Sequence, residues 1–500
     1  MQNKITRKIS LLALLTILSY SGSYGQVPSR TITGIIVSQT GANPLEGVSV
    51  FAKISNRYSG SQADGIYYIN VNGADSVLIF SQENYQTQEI KLTAASEYNI
   101  TLKESVPGQP NEATEVFSPF GTWRGIFKLN DGIESPFIFD ITGNGPSDSK
   151  IIFINAEERF EGGNVKWSND SLFVYLNQFE NELAFKIENN ALSGVLRKQD
   201  KSGIATLVYA EKGITNRFTQ TGKDPAADIS GTYDVTFKTR NGKDEKAVGL
   251  FTQQGNKLKA TFLRITGDSR YLDGIVSGNN FYLSSFIGSS PGYYRGTINA
   301  DGTITGEVIS TRGSQNFAGS PDENAALPDP YKLTFLKDGY TSLDFSFPDL
   351  NGKLVSLKND KYKNKVVVLT ITGTWCPNCI DEAAFLAPWY KKNKKRAIEA
   401  IAIHYERKND TAYARKAIFR FREKFGIEYD AVFAGIADKQ YVAESLPALN
   451  TFLSFPTIIF IDKKGKVAKI HTGYNGPATG KYYEEFIKEF NHEIDLLLSQ

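Results

Sequence analysis

One stretch constrains this chain more than any other: Val366-Val367-Val368-Leu369-Thr370-Ile371-Thr372-Gly373-Thr374-Trp375-Cys376-Pro377-Asn378-Cys379. An unbroken, largely β-branched run is what a strand covered on both faces requires. The turn after it ends in Pro377, which suits the first position of a helix. A helical pattern follows at once. Cys376 and Cys379 are the only cysteines among 500 residues, which separates them from ordinary core filling.

Three chemistries use two cysteines at this spacing. A structural disulfide would close a loop too small to restrict the unfolded chain much. Zinc needs four ligands; beyond the two thiols the chain offers only His404, His471 and His492, and no second pair at metal spacing. Redox exchange fits the strand–turn–helix context best. The helix start supplies free N–H groups and the positive end of a dipole. There Cys376 is expected to ionise readily and attack, while Cys379, one turn on and more enclosed, resolves.

The N-terminus reads as a targeting segment. Lys4, Arg7 and Lys8 precede an apolar stretch from Ile9 to Leu18, and Ser23-Tyr24-Gly25 supplies small residues for cleavage. Residues 1–25 are expected to be a signal peptide, with Gln26 the mature start and the periplasm the destination. No later run of 18 apolar residues exists, so no stable membrane insertion is expected. The net charge is +2, which argues against nucleic-acid binding. The Lys391–Arg396 cluster reads as a solvated helix end.

Five hundred residues exceed one core, so about three or four domains are expected. Residues 27–104 alternate with period two between turns and read as a β-sandwich. Gly34, the Pro44–Val50 stretch, the turn Asp64-Gly65-Ile66-Tyr67 and the Phe80 to Tyr85 segment resemble the carboxypeptidase regulatory-like family, which implies a spacer or adhesive module. Asn84 departs from that pattern. Residues 105–118 have linker composition.

The middle of the chain looks duplicated. Gly121-Thr122-Trp123 matches Gly231-Thr232-Tyr233, Gly163-Asn164-Val165 matches Asp273-Gly274-Ile275, and Leu192-Ser193-Gly194-Val195 matches Ile304-Thr305-Gly306-Glu307. Two β-rich repeats, 119–220 and 228–316, are therefore expected. They form antiparallel meanders, barrel-like or sandwich, in one unit or two. The seam lies near Thr221 to Pro225. Trp123, Trp167, Tyr271, Tyr293 and Tyr294 read as aromatic core rather than a ligand cavity. A second linker is expected over 317–340, and an α/β domain over 341–500.

In that last domain Trp375-Cys376-Pro377-Asn378-Cys379 after a buried strand, and Phe455-Pro456-Thr457 before another, resemble the thioredoxin fold. With the Phe345–Leu357 hairpin, the segment after Ile403 and the Gly465 hairpin, the domain resembles the TlpA/ResA-like thiol–disulfide oxidoreductases. The resemblance implies a cis-proline at Pro456. It also implies a substrate groove formed by Trp375, Pro377, Phe455 and Pro456. Thr370 stands where thioredoxin usually carries a buried acid. Glu406, after the next strand, is expected to take that part as proton acceptor for Cys379. His404 reads as a strand-end histidine.

The expected function is disulfide reduction by an exported enzyme without cofactor or metal. Its partners would be protein disulfide substrates and an upstream thiol electron donor. Alternatives are an oxidase or isomerase, or a surface binding protein whose β modules capture a ligand. A peroxiredoxin fits poorly, because Gly373 stands three residues before Cys376 where threonine is needed.

Overall fold

The computed structural model describes residues 29–500 apart from 53–54, 56, 74, 106–117, 144–147, 169–170, 189–190, 220–222 and 240–241. The expected signal peptide, most of the first linker and the seam at 221–222 lie outside the described residues. The chain divides between Val116 and Phe117 into two compact units.

The first unit is a sandwich of two sheets. Ser29–Ser38, Ile66–Asn72 and Ile100–Leu102 make one; Ser49–Ala52, Arg57–Gly60, Val77–Ser81 and Gln88–Lys91 make the other. Inward positions such as Ile32, Ile36, Val50, Tyr67, Ile69 and Phe80 fill the space between them. Period-two alternation puts one face of each strand into that core.

The second unit begins with two closed antiparallel barrels. In the first, eight strands from Gly121–Lys128 to Thr206–Lys212 run up and down, and the last pairs with the first. In the second, Gly231–Lys238 pairs with Gly313–Pro321, and pairing of Asp244–Gln254 with Lys257–Arg264 completes the ring. Each ring has eight staves, and the second also carries the short strand Gly267–Asp268. Gly163 and Gly274 each sit in the fourth long strand, and a Cβ at either would come within 2.1 Å and 1.7 Å of the carbonyl oxygens of Tyr175 and Tyr282. Only glycine permits that approach. The first barrel is filled by aromatic side chains, with Trp123 fully buried and Phe127 stacked on Phe137 at 4.5 Å.

The barrels interlock. Phe286, from the second, inserts between Phe127, Phe137 and Phe153 of the first at 4.7, 5.2 and 4.9 Å. Beside it Arg217, 5% exposed, donates to Asp273 Oδ2, Ser284 Oγ, Asn155 Oδ1 and the carbonyls of Pro136 and Ile154. A buried guanidinium is tolerated only when its donors are satisfied in this way.

The expected boundary at 316/317 is corrected. Gly313–Pro321 is the last stave of the second barrel, and Phe317 is buried in its core because the ring needs that strand to close. The far end of the supposed linker is also structured: Leu336 bridges to Leu449, and Phe335 N donates to Asn450 Oδ1.

The final domain is a mixed five-stranded sheet in the order Asp430–Ile436, Ile398–Glu406, Val366–Thr372, Thr457–Ile461, Val467–Thr472. The first three strands are parallel and the last two antiparallel. Helices α1 (Pro377–Asn393), α2 (Thr411–Phe425), α3 (Lys439–Ser445) and α4 (Lys481–Ser499) flank it. All seven residues of Val366–Thr372 are buried, as its position between two strands and two helix layers demands. Each aliphatic side chain there contributes about 1.5–3 kcal/mol.

Arg217→Ala is expected to cost about 3–5 kcal/mol, because it strands the Asp273 carboxylate and the two buried carbonyls between the barrels. Urea unfolding of the full chain checks this; a loss under about 1 kcal/mol would contradict that role for Arg217.

Candidate active site

The buried strand delivers its C-terminal end to the start of α1. Cys376 occupies the N-cap position with extended backbone (φ −94°, ψ 124°), Pro377 is the first helical residue, and Ile380 N closes the first turn onto Cys376 O at 3.1 Å. Cys376 is 7% exposed and Cys379 fully buried. Both are free thiols.

The two sulfurs differ in character. A hydrogen bond from the Cys379 thiol lowers the Cys376 pKa, and the backbone amides of Cys379 and Asn378 add to that against the cost of burial. Burial pushes Cys379 well above the ordinary thiol value; its bond to Cys376 and the charges of Cys376 and Glu382 push the same way, while Thr372 opposes. The asymmetry comes first from the thiol–thiol hydrogen bond and the burial of Cys379; the free amides of the helix N-terminus add to it at the first sulfur.

Cys376 Sγ lies 3.5 Å from the carbonyl oxygen of Phe455, and the Phe455–Pro456 peptide is cis. Trp375 meets Phe455 edge-on at 5.3 Å and donates from Nε1 to Tyr405 O at 3.0 Å. The structure thus brings Trp375, Cys376, Cys379, Phe455 and Pro456 together.

Glu406 is placed differently from expectation. Its carboxylate accepts from Thr374 N at 3.1 Å and Thr374 Oγ1 at 2.8 Å, and no hydrogen bond joins it to Cys379. It anchors the turn that precedes Trp375. Glu406 is the last residue of its strand, Ile398–Glu406, and so stands beside the Gly373–Trp375 turn. His404, expected at a strand end, is fully buried within that strand, with Nδ1 3.5 Å from Glu406 Oε1.

A buried carboxylate whose charge bears on Cys379 is Glu382, three residues after Cys379 on α1 and 2% exposed. Its Oε1 has no hydrogen-bond partner among the described residues. Burial, then the charge of Cys376, pushes its pKa well up. Sequence reasoning missed it because a glutamate on a helix normally faces water. The available signal was its spacing: Glu382 falls between Cys379, Ile380, Ala383 and Leu386, all on the apolar face.

Pro377 is half-buried beside the second barrel and lines the same cleft of about 250 Å³ as Cys376. Arg270 donates to Pro377 O at 3.1 Å and pairs with Asp381 of α1 and Glu158 of the first barrel. Burial nevertheless raises Asp381 to about 7. The turn at Thr266–Asp268 lies against Asn378 and the loop beside Pro456: Ser454 Oγ donates to Thr266 O at 2.8 Å and Gly476 N to Asp268 Oδ2 at 2.5 Å. Gly267 has φ +129°, and a Cβ there would come within 1.7 Å of the Asn378 amide.

Comparison with known proteins agrees with this geometry. The Redoxin family matches residues 337–485, and the CarboxypepD_reg-like domain matches residues 32–117. The thiol–disulfide oxidoreductase ResA of Geobacillus thermodenitrificans is 30% identical over 150 residues, covering 30% of this chain and 78% of that protein. ResA of Bacillus thuringiensis is 31% identical over 151 residues, covering 30% and 77%. The chain belongs to the ResA-like thiol–disulfide oxidoreductases. Among solved structures, a thiol–disulfide oxidoreductase from Bacteroides fragilis is 23% identical over 29% of this chain and 98% of its own, with a TM-score of 0.23. The ResA-like region is confined to the last domain; the sandwich and both barrels lie outside it. Among the described residues no helix is long and apolar enough to cross a membrane.

The thiol asymmetry sets a pH dependence. A lowered pKa populates the Cys376 thiolate below the ordinary thiol value of about 9, whereas a raised one keeps Cys379 protonated there. Iodoacetamide labelling read by peptide mass spectrometry should therefore modify Cys376 first, with its rate rising to a plateau below pH 9. Equal labelling of both thiols at neutral pH would contradict the asymmetry.

Proposed function

We propose that this ResA-like enzyme reduces protein disulfides outside the cytoplasm, with Cys376 attacking and Cys379 resolving. The observation that carries the reading is the opposition between the two thiols on one helical turn. The Cys376 thiolate attacks a substrate disulfide; one substrate sulfur leaves as thiolate and takes a proton, and a Cys376–substrate mixed disulfide remains. Cys379 then loses its proton and attacks the Cys376 sulfur. The second substrate thiolate leaves, and the enzyme holds a Cys376–Cys379 disulfide. Two electrons have passed to the substrate, and an upstream dithiol returns them.

The raised pKa of Cys379 favours this direction. A thiolate of high pKa is the stronger nucleophile in resolution and the poorer leaving group in the reverse step. Glu382 is the proton acceptor in this reading, and this replaces Glu406 in that part. The Cys376 charge helps keep Glu382 protonated. Formation of the mixed disulfide removes that charge and so eases ionisation of Glu382, although its burial, the larger cause, still opposes it. Trp375, Phe455 and Pro456 would border the substrate. Export rests on the basic and apolar pattern of residues 4–25.

Cys379→Ser should accumulate mixed disulfides through Cys376, and Glu382→Gln should slow resolution about 100-fold while leaving the first attack less affected. The trapped chain should come from the periplasmic fraction and begin at Gln26. Absence of adducts, equal rates for Glu382→Gln and wild type, or a chain still beginning at Met1 would contradict the corresponding part of the reading.

A further inference from the structure

Three clefts lie along the seam between the barrels and the thioredoxin-fold domain, each sharing wall residues with the next. The first, about 420 Å³, lies between the first barrel and α2, with Thr374 and Trp375 at its inner end. Its helix wall is a single face: Tyr413, Ala417, Arg420 and Lys424 follow at helical spacing. The second, about 240 Å³, shares Phe179 and Arg407 with the first. The third, about 250 Å³, shares Ser289 and Ser290 with the second and opens on Cys376.

The charge along the first two clefts is one-sided, although the whole chain carries only +2. Arg407, Arg420 and Lys424 have no ion pair among the described residues. Arg420 reaches only the carbonyl of Asn177 at 3.4 Å. Lys424 donates to the carbonyl of Glu161 at 3.2 Å and lies 4.4 Å from the Phe160 ring. Arg407 stands 5.6 Å over Trp375. The two acids of the first cleft are engaged: Glu161 pairs with Lys150 at 3.1 Å, and Glu180 accepts from Tyr413 at 2.9 Å. The second cleft adds Arg197, Lys198 and Arg312 and has no acid on its wall. Of these, Arg197 is paired with Glu182. Burial first, then the charge of Arg407, lowers the Lys198 pKa.

Cations in excess of the acids around them raise one another's energy, and an anionic ligand relieves this. A single small anion would occupy one cleft. Trp375 on the wall of the first cleft, and the Ser289–Ser290 wall that the second shares with the cleft of Cys376, set both cationic clefts beside the nucleophile, which suits something longer that must bring a disulfide to Cys376.

We propose that these clefts bind an extended acidic peptide segment of the substrate, held by Arg407, Arg420 and Lys424 as its disulfide enters at Cys376. The substrate class is then a disulfide in an acidic, unfolded or looped segment rather than on a flat protein face. The inference rests on the reductase reading above. It gives the barrels a part in selection, since they supply one wall of every cleft.

Two synthetic peptides test it. Each carries one cysteine in disulfide linkage to a chromophoric thiol, flanked by glutamates in one and by lysines in the other. With the full mature chain and dithiothreitol as donor, kcat/KM should favour the glutamate peptide at least about tenfold at low salt, and the ratio should shrink as salt is added. R420E/K424E should reverse the preference while unfolding at the wild-type temperature; R420Q, which should reduce it, serves if the double variant does not fold. A wild-type ratio within about twofold, or a variant that slows both peptides equally, would overturn the inference. A chain that reduces neither peptide would overturn it by contradicting the reductase reading itself, which keeps the two failures distinct.

Discussion

The guanidinium of Arg270 joins three bodies at one point. It belongs to the second barrel, pairs with Glu158 of the first, and holds Asp381 and the Pro377 carbonyl of the helix that carries both cysteines. It is 9% exposed. Breaking such a group from its partners leaves uncompensated charge in a low-dielectric seam. The active-site helix is therefore held in place from both barrels, and Pro377 and Asn378, half-buried, line the cleft that opens on Cys376.

That covering shapes the chemistry. A thioredoxin-like site on an isolated domain would present its first cysteine to any disulfide of suitable geometry. Here the turn at Thr266–Asp268 stands beside Asn378 and Ser454, and Cys376 is reached through a cleft. Exclusion of water also sharpens the contrast between the thiols. The helix amides stabilise the Cys376 thiolate, while Cys379 and Glu382, lacking such donors, are kept neutral by burial.

Local features were legible in the sequence. The buried strand, the turn and the two cysteines at a helix start declare themselves by composition and spacing, and the alternating strands reveal the sandwich. The duplication was readable in matches such as Gly121-Thr122-Trp123 with Gly231-Thr232-Tyr233, and in the structure Gly163 and Gly274 each meet a close neighbouring carbonyl. Non-local features were not. Arg270 meets Asp381 across 111 positions (381 − 270), and Arg217 meets Asn155 across 62; neither arginine carries a local pattern that marks it as buried. Glu382 escaped notice for the opposite reason, as a polar residue inside an apolar helix face. Glu406 was assigned by its place after a strand, which fixes its height in the sheet but not which side of the loop it serves. The strand Gly313–Pro321 was cut short because glycine, serine and proline resemble a linker, although ring closure recruits them.

The account turns on the direction in which the pair exchanges electrons. Equilibration with glutathione buffers, with the Cys376 and Cys379 states read by alkylation and mass, measures it directly. A reductase predicts one two-electron transition at a potential in the thioredoxin range, about −270 mV. A potential near about −120 mV, as found for strong disulfide donors, would contradict it and make the chain an oxidant.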